Sequence, residues 1–158
     1  MKKLILVRHA KSDWPENTDD FDRPLSEKGE KNAAKMAKFL KENNIEIDKF
    51  YSSPALRAFK TCEIFNKEYQ LEVETMQKLY NASETNFESL ITDLPDELDS
   101  VAMFSHNNGI SNFANSMAHD VFMFPTCGVA GFEIDGDSWS DFHSAEKKPI
   151  FFYEPSKI

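Results

Sequence analysis

The sequence predicts an α/β protein: a three-layer α/β/α sandwich around a mostly parallel sheet. Three observations predict it. Strand and helix signals alternate along the chain. The first strand signal, Leu4-Ile5-Leu6-Val7, is an unbroken apolar run, as expected of a strand covered on both faces of a parallel sheet. The length, 158 residues, suits one core of ordinary size, and a 41% hydrophobic content is too high for disorder. With no internal repeat, low-complexity stretch or Pro/Gly/Ser-rich linker, residues 1–158 are expected to form a single domain.

Each element has its own signal. After the first strand, residues 13–24 are polar and rich in Asp, Asn and Pro, and read as a loop. Pro24-Leu25-Ser26 opens a helix with Ser26 as N-cap; Ala33, Met36, Ala37 and Leu40 form its apolar stripe, and Asn43-Asn44 ends it. Ile47 to Ser52 reads as the second strand. Ala55, Ala58, Cys62, Phe65 and Tyr69 then recur at helical spacing, on a helix entered at Pro54. Leu71 to Met76 is a short strand, and Phe87, Leu90, Ile91 and Leu94 mark a small helix stopped by Pro95. Val101 to Ser105 is another buried strand, followed by a helix bearing Ile110, Phe113, Ala114 and Met117. Val129 to Ile134 and Ser138 to Ser144 flank Asp135-Gly136-Asp137, which predicts a terminal hairpin.

Composition excludes several functions. A formal net charge of −9 argues against nucleic-acid binding, which needs a basic face, and taken alone argues against an anionic substrate. No apolar run approaches the roughly 18–20 residues of a membrane span, and Lys2-Lys3 with four aliphatic residues is too short for a signal peptide. Cys62 and Cys127 form no CxxC or metal spacing. One disulfide between them is possible in principle, but in a signal-free chain, expected to be cytoplasmic, the two thiols are expected to stay reduced. No long exposed apolar stripe demands a partner, so a monomer is expected.

The unusual residues fall at strand ends, where ligands bind in such sheets. The first strand delivers Arg8-His9, the second Ser52-Ser53-Pro54 with Arg57 a turn later, and the fourth Ser105-His106-Asn107. Two guanidiniums grip phosphate oxygens by charge-assisted bidentate bonds. A neutral imidazole beside them is a competent nucleophile at phosphorus, and a second stabilises charge on the equatorial oxygens. Backbone N–H groups at the start of the helix after His106 would add an anion site. Singly, each motif reads equally as a solvated strand end or a helix cap; three at one sheet edge do not. His119 reads as a helix C-terminal dipole partner and His143 as a structural strand residue. Neither HExxH nor GxSxG is present, so no metal or serine-hydrolase site is indicated.

These residues resemble the histidine phosphatase superfamily, most closely its small SixA-type phosphohistidine phosphatases. The resemblance runs through Leu6-Val7-Arg8-His9, Arg23-Pro24-Leu25-Ser26-Glu27-Lys28-Gly29, Ser53-Pro54-Ala55-Leu56-Arg57-Ala58, Thr61, Ser105-His106-Asn107, and Thr126 to Ile134. It implies a phosphoglycerate-mutase-like fold, with His9 as the nucleophile that becomes a phosphohistidine and with Arg8, Arg57 and His106 completing the phosphate pocket. Ser12, Ser26 and Asn107 are further candidate phosphate contacts. Ala10 departs from the usual Gly, and its methyl group is expected to tighten the approach to the phosphate.

Larger members carry a cap and a carboxylic acid that protonates an alkoxide leaving group. This chain has little room for a cap. Its candidate acids, Glu84 and Asp13, read equally as solvated loop carboxylates. Imidazole, with a pKa near 6.5, departs from phosphorus far more readily than an alkoxide, and an open site suits a phosphate carried on a protein. A protein phosphohistidine phosphatase is therefore expected, acting on a phosphorylated protein. A phosphomonoesterase for small phosphate esters is the alternative, and a noncatalytic phosphate-binding module the lesser one. No cofactor or metal is implied, since arginines supply the positive charge. The acids, Asp19-Asp20 and Asp22 among them, are expected to lie on the surface around a basic pocket.

Overall fold

Parallel strands need crossover helices, and the alternation along this chain supplies them. A computed structural model describes all 158 residues, with six strands and four α-helices: β1 (Lys2–Arg8), α1 (Glu27–Glu42), β2 (Lys49–Ser52), α2 (Leu56–Tyr69), β3 (Val73–Thr75), α3 (Glu84–Thr92), β4 (Ser100–Ser105), α4 (Gly109–Met117), β5 (Val129–Ile134) and β6 (Lys147–Tyr153). They form one sheet in the order β3-β2-β4-β1-β5-β6. The first four strands in that order run parallel, and β5 and β6 complete the sheet antiparallel.

The apolar run at the start of the chain works as its pattern suggests. Leu4 and Leu6 face a core shared with α3 and α4, whereas Ile5 and Val7 face one shared with α1 and α2. All four are buried, and burying each such side chain contributes about 1.5–3 kcal/mol. The sheet is thus the middle of three layers. The stripe Ala33, Met36, Ala37 and Leu40 is wholly buried, and Ser26 caps α1 by accepting a hydrogen bond from Gly29 N at 3.0 Å. No helix is long and apolar enough to cross a membrane.

Four expectations need correction. The second arm of the hairpin is β6, not Ser138–Ser144. That segment instead holds a 3-10 turn, Trp139–Asp141, because Trp139 and Phe142, three apart, both turn inward and the Asp96 carboxylate accepts from Trp139 N. His143 therefore lies outside any strand and is exposed, 3.6 Å from Glu88. β2 and β3 are shorter than the expected 47–52 and 71–76, because ladder pairing starts only at Lys49 in β2 and spans only Val73 to Thr75 in β3. Pro54 precedes α2 rather than opening it: Ala55 is the N-cap, and its N–H donates to Ser53 Oγ. Cys62 and Cys127 are free, buried thiols, the latter pushed up to about 12 by burial, so neither is a reactive thiolate.

Candidate active site

Parallel register brings the three strand ends together. β4 lies between β1 and β2, with Arg8 opposite Ser105 and Ser52 opposite Phe104, so Arg8-His9, Ser52-Ser53 and Ser105-His106 leave the sheet side by side. They open into a cleft of about 390 Å³ lined by eleven residues, none hydrophobic. The structure brings Arg8, His9, Arg57 and His106 together there, with Ser12 and Asn107. The connections at this edge are loops and 3-10 turns, and no inserted α-helix covers the cleft.

Backbone contacts fix His9. Its N–H donates to Ser105 O, and Cys127 N donates back to His9 O. The ring Nδ1 lies 2.7 Å from the Ala10 carbonyl, which can only accept, so Nδ1 carries the proton and Nε2 keeps its lone pair. The Arg57 Nε–H group points at that lone pair from 3.3 Å. Thr61, one turn beyond Arg57, accepts from Ala10 N and donates to Arg57 O, tying the end of β1 to α2. The His106 ring lies 5.2 Å from that of His9, with its Nε2 2.8 Å from Ser53 Oγ. His106 Nδ1 and Arg8 Nε are the two buried side-chain polar atoms without a hydrogen-bond partner.

Both histidines are neutral at pH 7. Burial chiefly holds His9 down at about 4; Arg57, Arg8 and Arg23 add to the shift, against the Ala10 bond. Burial likewise lowers His106 to about 3, helped by His9 and Arg57. An imidazole with a free Nε2 among guanidiniums is a nucleophile for an anionic centre that the arginines can hold.

Several expectations fail at this level. Ser26 does not reach the cleft: its hydroxyl caps α1 and donates to Lys11 O. Glu84 begins α3 as an exposed residue favoured there by the helix dipole, and Asp13 is an exposed loop residue; neither lines the cleft. Ser12 does line it, although its hydroxyl receives Arg23 Nη2 at 2.8 Å. The Ala10 methyl is fully buried in the core beside α1 and α2, so it tightens nothing at the pocket.

Asp20, although partly exposed, is not one of the surrounding surface acids but lines the cleft itself. The loop between β1 and α1 folds back on itself, with Ser12 bridged to Leu25, and carries Asp20 and Arg23 into the cleft. Asp20 Oδ2 accepts from Arg57 Nη2 at 3.1 Å and Tyr80 Oη at 2.7 Å, while Oδ1 accepts from Arg23 Nη1 at 3.2 Å. The Tyr80 bond, then the two arginines, hold its carboxyl at about 2. Lys11, Asn81 and Thr126 also line the cleft and were missed. Arg23 and Thr126 lie inside matching motifs and were within reach of sequence reasoning. Asp20, in a polar loop of alternating acids, carried no signal. No group of three or more His, Cys, Asp or Glu is placed to hold a metal ion.

Residues 4–113 match the family model of the histidine phosphatase superfamily, branch 1. A solved structure from Agrobacterium tumefaciens, assigned as the phosphohistidine phosphatase SixA, superposes with a TM-score of 0.84 at 25% identity over 98% of both chains. The protein histidine phosphatase SixA complexed with tungstate gives 0.85 at 22% identity, over 98% of this chain and 97% of that one. A 2,3-bisphosphoglycerate-dependent phosphoglycerate mutase of Lactobacillus acidophilus is 42% identical over 64 residues, which is 39% of this chain but only 28% of the mutase.

Proposed function

The chain belongs to the histidine phosphatase superfamily, and on that premise we propose that it is a phosphatase for protein-bound phosphohistidine, with residues 1–158 as its single catalytic domain. The observation that carries the reading is the His9 ring. Its proton is committed to the Ala10 carbonyl, and its Nε2 lone pair stands among Arg8, Arg23 and Arg57.

In this reading the arginines receive the phosphoryl oxygens. Arg57 gives up its contact with His9 Nε2, and that atom attacks phosphorus in line. As the new N–P bond forms, the substrate P–N bond breaks and its electron pair stays on the departing imidazole. Water then attacks phospho-His9, releasing phosphate and restoring the ring. His106, with Ser53 at its Nε2, donates to the equatorial oxygens as their charge redistributes. The cleft suits an imidazole leaving group better than an alkoxide, because its one carboxylate is held ionised by Tyr80 and the arginines and has no proton to give. The likeness to the Agrobacterium SixA over nearly the whole chain supports the same substrate class.

The test is a rapid alkaline quench with a ³²P-phosphohistidyl protein. Label is expected on His9, and His9→Ala should abolish both label and turnover. Turnover without label on His9 would sink the mechanism.

A further inference from the structure

Asp20 is the one acidic residue lining the cleft, and it stands at the rim: its side chain is 36% exposed, whereas that of Arg57 behind it is 6% exposed. Oδ2 takes two hydrogen bonds, from Arg57 and Tyr80; Oδ1 takes one, from Arg23. A carboxylate oxygen has room for two, so Oδ1 keeps one lone pair free. We propose that Asp20 determines specificity by accepting the N–H of a protonated phosphoimidazole ring, so that phosphohistidine is preferred over phosphate esters. The proposal rests on the substrate reading above and identifies what recognises the leaving group.

The chemistry requires such a partner. With the ring nitrogen remote from phosphorus unprotonated, cleaving P–N would expel an imidazolate, a strongly basic anion. With that nitrogen protonated by solvent, the P–N electron pair returns to the ring and neutral imidazole departs. No protein acid need donate the proton. The protonated ring is, however, a cation entering a cleft that already holds Arg8, Lys11, Arg23 and Arg57, and their fields oppose it. Asp20 is the charge that offsets them. In-line attack by His9 sends the leaving group away from the buried ring and out of the cleft. Asp20 is the cleft's partly exposed carboxylate, reached from the attacking atom across one guanidinium: Arg57 Nε meets His9 Nε2 at 3.3 Å and its Nη2 meets Asp20 Oδ2 at 3.1 Å. An ester offers Asp20 no N–H, and its developing negative charge is repelled.

The experiment compares kcat/KM for a phosphohistidyl protein with that for p-nitrophenyl phosphate, in wild type, Asp20→Asn and Asp20→Glu. The ratio is independent of how much of each variant is folded. Asp20→Asn should lower the ratio by about tenfold or more, the worth of one hydrogen bond to a charged group. Asp20→Glu, which keeps the charge, should restore much of it. An unchanged ratio in Asp20→Asn, with both substrates falling together, overturns the proposal and reduces Asp20 to a brace for Arg57 and Arg23. A wild type inert toward the phosphohistidyl protein but active on the ester overturns instead the substrate reading on which the proposal stands.

Discussion

At the scale of the residue, the two buried histidines link the chemistry to the stability of the chain. Burial and three arginines hold the protonation of His9, the proposed nucleophile, down at about 4, and His106 stands at about 3 against an ordinary 6.5, so both rings stay neutral well below pH 7. In the unfolded chain both rings take up a proton below about 6.5, and in the folded chain they resist it. Their contribution to stability is therefore full above 6.5 and is lost as pH falls toward the folded values. Between pH 7 and pH 5 each histidine removes about 2 kcal/mol of folding stability. Urea unfolding at the two pH values checks this: His9→Asn or His106→Asn should each shrink the acid loss by about that amount. An acid loss as steep in both variants as in wild type would place the titration elsewhere. These two rings, with Arg8 and Arg57, were legible in the sequence because each follows a buried strand directly or by one helical turn. Asp20 and Lys11 were not, because they reach the cleft only through the way residues 10–25 fold back, and no periodicity encodes that.

At the scale of the element, the same loop is held by α1. Ser26 N and Ser26 Oγ both donate to Lys11 O, and Gly29 packs so closely on Lys11 that a Cβ there would sit 2.0 Å from its carbonyl oxygen. The obstructing atom is backbone and cannot swing aside. Gly29→Ala should therefore push the first turn of α1 away from residues 11–12, destabilising the fold by about 1–3 kcal/mol, as overpacking typically does. Because Ser12 holds Arg23, kcat/KM should fall beyond what the loss of folded enzyme explains; circular dichroism melts set beside single-turnover rates separate the two. Undiminished activity per folded molecule would show that α1 does not set the loop. Helices and buried strands were readable because their periods are local. The closing hairpin misled because Ser138–Ser144 carries inward aromatics at a spacing of three, which suits a 3-10 turn, while the true partner, Lys147–Tyr153, mixes lysines and a proline into an edge strand.

At the scale of the whole molecule, a net charge of −9 surrounds a cleft with four cationic side chains and one carboxylate. The four cations of the cleft favour an anion at contact, whereas the net negative charge of the rest of the chain repels one approaching from farther away. These two ranges respond differently to salt. The screening length falls from about 30 Å at 0.01 M to about 8 Å at 0.15 M, which removes the distant repulsion but leaves contacts inside a partly buried cleft largely intact. A small dianionic ester should therefore turn over with a higher kcat/KM at 0.15 M than at 0.01 M salt. A phosphohistidine presented within a basic protein surface should show the opposite, since the acidic surround steers that partner in and salt weakens the steering. Stopped-flow turnover of both substrates across that salt range makes the comparison, and slopes of the same sign would rule out the acidic surround as the selector of partners. On the proposed reading the negative field is compatible with an anionic substrate: opposite salt slopes would mean that it sorts what carries the phosphate, while the cleft holds the phosphate itself.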